Sequence, residues 1–385
     1  MEAMKRALFL FLCLAMAPAR AQTLTGFARL AAPTFVAGPT SGQKIEVKDG
    51  LISLPFVDQQ PIQGVSSLAR ISKTEFWALE DNGFGAKANS ADFLLRLVRL
   101  KLDFKTRKGG LGAAKVVSSL VLSDPNRRAG FDLVRADRQL TGADFDPESL
   151  VVARDGTFWL GDEFGPFLLH FSRDGALLDA PFAIEGVASP DDPFKRPANI
   201  KSSRGFEGLA LWPSGSFLSG LLEGALDGED AERLPLYFFG LNPTDAAFSH
   251  RLTPDQSHYR LDAAISGEKP HSIGEMACYG NNKFLVVERD SLEGDAARFK
   301  RVFAYDRNAG SKKLVVDLLR IADPHGLAGV KNGGYRMPFQ TIESVVVLDR
   351  RHLLVCNDNN FPFGRGRGEV EATEFATIEL PAPLF

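Results

Sequence analysis

Short apolar runs alternate with polar breaks along this chain, and one arrangement of the two keeps returning. Between Asp146 and Pro166, Glu148 opens the run Leu150-Val151-Val152-Ala153, Asp155-Gly156 interrupts it, and Phe158-Trp159-Leu160 leads back to the acidic pair Asp162-Glu163. Asp-Gly between two apolar runs is a strong hairpin signal and predicts a two-residue turn. A hairpin's strands begin and end at one edge, so Glu148 and the Asp162-Glu163 pair are expected together, opposite the turn.

Three more segments repeat this order. Glu207 leads Gly208 to Trp212, turns at Pro213-Ser214-Gly215 and returns through Phe217-Leu218 to Glu223. Glu275 leads Met276-Ala277-Cys278, turns at Gly280-Asn281-Asn282 and returns through Phe284 to Val287, ending at Glu288. Glu343 leads Ser344 to Leu348, turns near Asp349-Arg350-Arg351 and returns through Leu353-Leu354-Val355 to Asp358. A weaker copy without the opening glutamate runs from Gly64 to Leu68 and back through Phe76 to Glu80-Asp81. The copies start at 64, 148, 207, 275 and 343. Multi-strand units recurring at such intervals predict an all-β fold, a β-propeller.

Third and fourth strands complete most copies. Phe93 to Phe104 and Lys115 to Leu122 follow the first, and Phe167 to Phe171 the second. Pro235 to Leu241 follows the third, and Arg301 to Asp306 with Leu314 to Leu318 the fourth. The last copy has a third strand, Glu374 to Leu380, and nothing after it. The lead-in at 22–56, strand-like at Leu24 to Leu30 and Lys44 to Leu54, is expected to supply the missing strand and so close the ring. This reading gives five or six four-stranded blades, with 22–62 or 240–272 as places for a sixth. Turns inside the hairpins are short. The long connections all emerge at the edge where the carboxylates lie, and long loops on one rim of a rigid scaffold are where binding and catalysis usually sit.

Composition adds three things. The length of 385 residues and 44% hydrophobic content allow one large core, and 36 Gly and 22 Pro suit many turns. The net charge of -3 argues against a general nucleic-acid binder. At the N-terminus, Lys5-Arg6 precede the apolar run from Ala7 to Ala17, and Ala19-Arg20-Ala21 is an A-x-A cleavage pattern. Residues 1–21 therefore read as a cleaved signal peptide and 22–385 as one exported domain, periplasmic or secreted, monomeric and without a membrane anchor. Of the cysteines left after cleavage, Cys278 and Cys356 sit in apolar strands of different copies and read as free buried thiols, although export permits a disulfide.

The chemistry follows from the carboxylates. The first strand of a propeller blade lines the central channel. Glu148, Glu207, Glu275 and Glu343 are thus expected around one mouth, with Glu80, Asp81, Asp162, Glu163, Glu223, Glu288 and Asp358 beside them. Two carboxylates about 4 Å apart repel by about 4 kcal/mol at an effective dielectric near 20. Such a ring needs protons, Arg or Lys partners, or divalent cations. All-oxygen ligands in an exported protein favour Ca²⁺, with about six to eight oxygens, over other divalent ions. The alternative is that each glutamate caps its own blade. Lys201, Arg204, Arg289 and Arg336 could hold a substrate phosphate or carboxylate, or could pair with the ring. His325, in Asp323-Pro324-His325-Gly326, is the one histidine placed to act as acid or base, or else it is a loop residue.

Three motifs carry a resemblance: Asp146-Pro147-Glu148-Ser149-Leu150 to Asp162-Glu163-Phe164-Gly165-Pro166, Arg204-Gly205-Phe206-Glu207-Gly208-Leu209-Ala210, and Asn357-Asp358-Asn359-Asn360-Phe361-Pro362-Phe363. Together they resemble the exported bacterial phytase-like family named for the esterase-like activity of phytase. The resemblance implies a β-propeller and hydrolysis of phosphate esters. It also implies calcium held by clustered carboxylates at the channel mouth, with catalytic roles for Glu148, Glu163 and Glu207. The expected activity is metal-dependent hydrolysis of a small-molecule phosphoric ester. Lactonase or carboxylesterase chemistry and a non-catalytic binding platform are the alternatives.

Overall fold

The Asp155-Gly156 turn closes as a three-residue loop, not a two-residue one. Ala153 N–H donates to Thr157 O at 2.9 Å and Gly156 N–H to Ala153 O at 2.9 Å. Gly156 takes φ +84, the left-handed position that ends this loop type and that a glycine adopts without a Cβ clash. The Asp155 carboxylate holds the loop by accepting from Thr157 N–H at 2.9 Å. The hairpin it closes is one half of a blade.

The computed structural model describes residues 21–48, 50–241, 249–250, 258–264, 268–330 and 333–385; residues 1–20 of the expected leader lie outside these. Among the described residues, antiparallel four-stranded units repeat five times. Blade one is Val65–Arg70, Glu75–Glu80, Arg96–Asp103 and Ala113–Val121, and blade two Pro147–Val152, Phe158–Asp162, Phe167–Phe171 and Phe182–Ala183. Blade three is Phe206–Leu211, Phe217–Leu222, Arg233–Gly240 and Ser249–His250, with His258–Arg260 also paired to its third strand. Blade four is Ser272–Gly280, Lys283–Arg289, Lys300–Asp306 and Ser311–Asp317. Blade five is Ile342–Val347, His352–Asn357 and Thr373–Glu379, and its outer strand is Thr23–Leu30, from the other end of the chain.

The inner strands pack one against the next in a closed circle, blade five returning to blade one. An apolar cluster fills each gap between neighbouring blades. Leu79 and Leu97 meet Leu160 and Phe167, Trp159 and Leu168 meet Phe206 and Leu218, and Leu221 and Leu236 meet Met276 and Val286. Val287 and Val302 meet Ile342 and Val355, and Phe375 and Leu354 return to Val65 and Phe76. Burial of each such side chain contributes about 1.5–3 kcal/mol, and the two faces of every blade share it. The clusters therefore number the blades independently of hydrogen bonding. Five close the circle, and the described residues hold no sixth blade.

Residues 22–62 instead give the closing strand and a small ribbon, Phe35–Ala37 with Gln59–Pro61; the strand expected over 44–54 does not form among the described residues. That segment packs Ile45 and Phe56 against Phe84, Phe93 and Phe361, roofing blades one and five. Cys278 and Cys356 are free thiols in blades four and five. No helix of the described residues is long and apolar enough to cross a membrane.

Candidate functional site

Each hairpin carries a bulge close to where its inner strand begins. Pairing with the second strand skips one inner residue: Ser66, Glu148, Glu207, Gly274 and Glu343 in blades one to five. Bulges turn a side chain out of the ladder. Here they turn Ser66, Glu148, Glu207 and Glu343 toward one cavity at the mouth of the channel. Two further positions recur beside each bulge. One is at the far end of the second strand: Asp81, Glu163, Glu223, Arg289 and Asp358. The other lies opposite it: Gly64, Asp146, Gly205, Ser272 and Thr341. The backbone binds the two together, for instance Glu163 N–H to Asp146 O at 2.9 Å and Glu223 N–H to Gly205 O at 2.8 Å.

The blades are thus equivalent in backbone and unequal in charge. Blade two alone is acidic at all three positions: Asp146, Glu148 and Glu163. Blade four alone has no carboxylate at any of them and places a cation, Arg289, at the mouth.

Burial pushes the Glu148, Glu163, Glu207 and Asp358 carboxyls well above the usual range, and neighbouring carboxylates push in the same direction. Burial and the Asp81 charge push Asp146 up to about 8. Burial also raises Glu343, against the pull of Arg289. Asp146 Oδ1 and Glu163 Oε1 are buried and have no hydrogen-bond partner. Asp146, Glu148 and Glu163 each bring one carboxylate oxygen within 4.8 Å of the other two. Three convergent carboxylates, two of them with an orphaned buried oxygen, fit a hard divalent cation such as Ca²⁺.

Glu163 also belongs to a second group, with Glu207 and Glu223. There the negative charge is already met. Arg204 pairs with Glu223, and Ser272 Oγ donates to Glu223 at 2.6 Å. One Arg289 nitrogen, Nη2, lies 3.0 Å from Glu343, 3.3 Å from Glu223 and 3.7 Å from Glu207.

Seven of the acidic residues anticipated from the sequence meet at this cavity: Asp81, Glu148, Glu163, Glu207, Glu223, Glu343 and Asp358. Four do not. Glu80 and Asp162 precede Asp81 and Glu163 by one residue, so they face the other way, because side chains alternate along a strand. Glu80 pairs with the buried Arg96 at 2.8 Å, and Asp162 accepts Asp146 N–H and Gly165 N–H at 2.8 Å. Glu288 likewise turns away, to Tyr259, Lys312 and Asp262 N–H. These three cap and tie the scaffold.

Glu275 is one residue out of step. In blade four the bulge falls on Gly274, so Glu275 aligns with Ser67, Ser149, Gly208 and Ser344. Its Oε2 accepts Ser67 Oγ from blade one at 2.6 Å, bridging the channel.

Among the cations, Arg204 and Arg289 line the cavity and Lys201, Arg336 and His325 do not. Lys201 is exposed, Arg336 lies 3.7 Å from Asp295, and His325 is exposed on the 323–329 loop, which is held by Asp323 accepting Leu327 N–H at 2.8 Å. Sequence reasoning left Asp146 out of the ligand set. Its pairing with Asn82 Nδ2, at 2.8 Å, carries no sequence signal, but its place two residues before Glu148, on the same side of the strand, does.

The mouth cavity measures about 260 Å³ and opens to solvent. A larger one, of about 870 Å³, lies between the outer parts of blades three and four and holds none of these carboxylates. Two of its cations are paired with carboxylates, Arg260 with Asp230 and Glu232, Lys312 with Asp262 and Glu288. The convergent carboxylates, with the unpartnered oxygens of Asp146 and Glu163 beside them, make the smaller one the candidate site.

A sequence family described as phytase-like, esterase-like activity of phytase, matches residues 60–361. An uncharacterized secreted protein of Arthroderma benhamiae is 25% identical over 191 residues, 40% of this chain and 36% of the relative, so the match spans about a third of that protein. Among solved structures, a glycosyl hydrolase from Bacteroides ovatus aligns with TM-score 0.45 and 11% identity over 92% of this chain and 94% of that one. A periplasmic gluconolactonase from Pseudomonas aeruginosa aligns with TM-score 0.33 and 14% identity over 94% and 97%.

Proposed function

The chain belongs to the phytase-like family, esterase-like activity of phytase, and from that premise we propose an exported, divalent-cation-dependent hydrolase acting on ester bonds, phosphoric esters foremost. The observation that carries the reading is that Asp146 and Glu163, whose Oδ1 and Oε1 are buried without a partner, converge with Glu148 at the mouth. Asp146, Glu148 and Glu163 would hold the ion, with Ca²⁺ the best match to an all-carboxylate set. A bound divalent cation supplies Lewis-acid polarisation of a phosphoryl oxygen and lowers the pKa of a coordinated water.

The chain's own side chains do the rest. Arg204 is half exposed at the rim, oriented by Glu223, and presents its guanidinium to an incoming anion. Arg289 fixes Glu207, Glu223 and Glu343 in the opposite wall. Glu207, whose carboxyl is pushed well above the usual range by burial and by the charges of Glu343 and Glu223, is the group placed to hold a proton for a leaving alkoxide. Export is supported by the leader pattern over residues 1–21 and by the secreted relative.

A panel of chromogenic phosphomonoester, phosphodiester, carboxylester and lactone substrates, assayed with Ca²⁺ and after chelation, tests this. The expected result is turnover of a phosphoric ester that is lost on chelation and restored by Ca²⁺. Turnover confined to a carboxylester or lactone would move the activity to another ester class. No turnover of any substrate would leave the rim a binding surface.

A further inference from the structure

In a ring of equivalent positions, the departure from the pattern carries information. Blade four departs twice, at adjacent positions. Its bulge is Gly274 where three other blades have a glutamate, and its second strand ends in Arg289 where the others have a carboxylate. The two changes fit each other. A Cβ on Gly274 would lie 1.9 Å from Ile342 O and 2.9 Å from Glu343 Oε2, so no side chain can stand there. Arg289 brings positive charge to that side of the mouth instead.

The position that Arg289 takes is that of an ion. A single nitrogen, Nη2, contacts one carboxylate oxygen each from Glu207, Glu223 and Glu343, at 3.7, 3.3 and 3.0 Å. Those residues belong to blades three and five, on either side of blade four. Ca²⁺ contacts its oxygens at about 2.3–2.6 Å, so the three need to close in by only about 1 Å to bind one. Glu343 Oε2 is buried without a partner and remains as a further donor.

We propose that the Arg289 guanidinium is a built-in cation that restricts the mouth to one divalent-ion site, and that Glu207, Glu223 and Glu343 become a second such site when it is removed. The inference rests on the reading of Asp146, Glu148 and Glu163 as the resident site. It assigns the mouth a mononuclear centre opposite a fixed guanidinium, in place of the paired metals that clamp both oxygens of an in-line displacement in two-metal enzymes. Arg289 is thereby a positioning residue for the carboxylate wall, and the substrate's anion is left to Arg204.

The test is an ion count. Chain stripped with chelator and dialysed against CaCl₂ is analysed for bound calcium per protein, and the same preparations are titrated calorimetrically. Arg289→Met removes the charge and approximates the bulk, Arg289→Lys keeps the charge, and circular dichroism verifies that each has folded. One ion in the wild type, one in Arg289→Lys and two in Arg289→Met is the expected result. Two ions in the wild type, a count that needs no variant to fold, overturns the proposal. So does a folded Arg289→Met with no gain. No ion in the wild type but one in Arg289→Met would uphold the role of Arg289 and overturn the resident site, and none in either would overturn both.

Discussion

Replacing Gly274 by alanine tests the register on which the description of the mouth depends. The added methyl carbon would stand 1.9 Å from Ile342 O. Ordinary C···O contacts are about 3.3–3.6 Å, so the strands must separate locally by about 1.5 Å. The atom it meets is backbone of the neighbouring inner strand, where no rotamer change can relieve it. The displacement passes into the cluster of Val287, Ile342, Val345 and Val355 between blades four and five. Overpacking of this kind costs about 1–3 kcal/mol, and backbone against backbone belongs at the upper end. Gly280, at the other end of the same strand, is the control: an alanine Cβ there would meet nothing closer than the Lys283 side chain at 3.5 Å. Its replacement is expected to change stability by less than about 0.5 kcal/mol. Urea unfolding of the two variants beside the wild type, in chelator and followed by tryptophan fluorescence, gives the comparison. If Gly274→Ala unfolds no earlier than Gly280→Ala, the bulge is not at Gly274, and the inward placement of Glu275 falls with it.

Two further expectations concern the acidic wall. Glu163→Gln is expected to leave the chelated protein about as stable as the wild type but to abolish the rise in unfolding midpoint on adding Ca²⁺, which for an intact site amounts to about 2.7 kcal/mol at a hundredfold excess over Kd; an undiminished rise would show that the ion binds elsewhere. The second concerns pH. Asp146 sits at about 8 in the folded protein against its ordinary 3.8, so its proton is held more tightly folded than unfolded. Its contribution is present in full below about pH 4 and is lost as the pH rises toward 8. Without cation the unfolding midpoint should therefore fall across that window, with Ca²⁺ restoring it most at the alkaline end; a midpoint that rises steadily without cation would contradict the assignment.

The blade repeat was legible because each hairpin combines a turn signal with an opening acid, as in Glu148 to Asp155-Gly156 and Glu207 to Gly215. The closing strand, Thr23–Leu30, could be read from a missing one, since the last copy ended a strand short. What failed was parity. Glu80 and Asp81, or Asp162 and Glu163, are neighbours in the chain and point to opposite faces, and a run of acids does not say which member faces the channel. Glu275 resembles the other opening glutamates in every respect except that the preceding residue is the one that bulges, for a steric reason that lies in blade five. Arg289 was legible as a cation near the mouth. That it fills the place of an ion depends on three oxygens from two other blades, which no local motif records. His325 and Arg336 stand in long loops whose course is set by packing against outer strands, beyond the reach of a pattern.

Blade five is stitched from residues at both extremities of the polymer. During synthesis, four blades can zip up in turn, but the annulus stays a crescent until the final strands arrive to clasp Thr23–Leu30. Until then Glu343 and Asp358 have no settled place opposite the acids of blades two and three, and the acidic wall of the mouth is completed last.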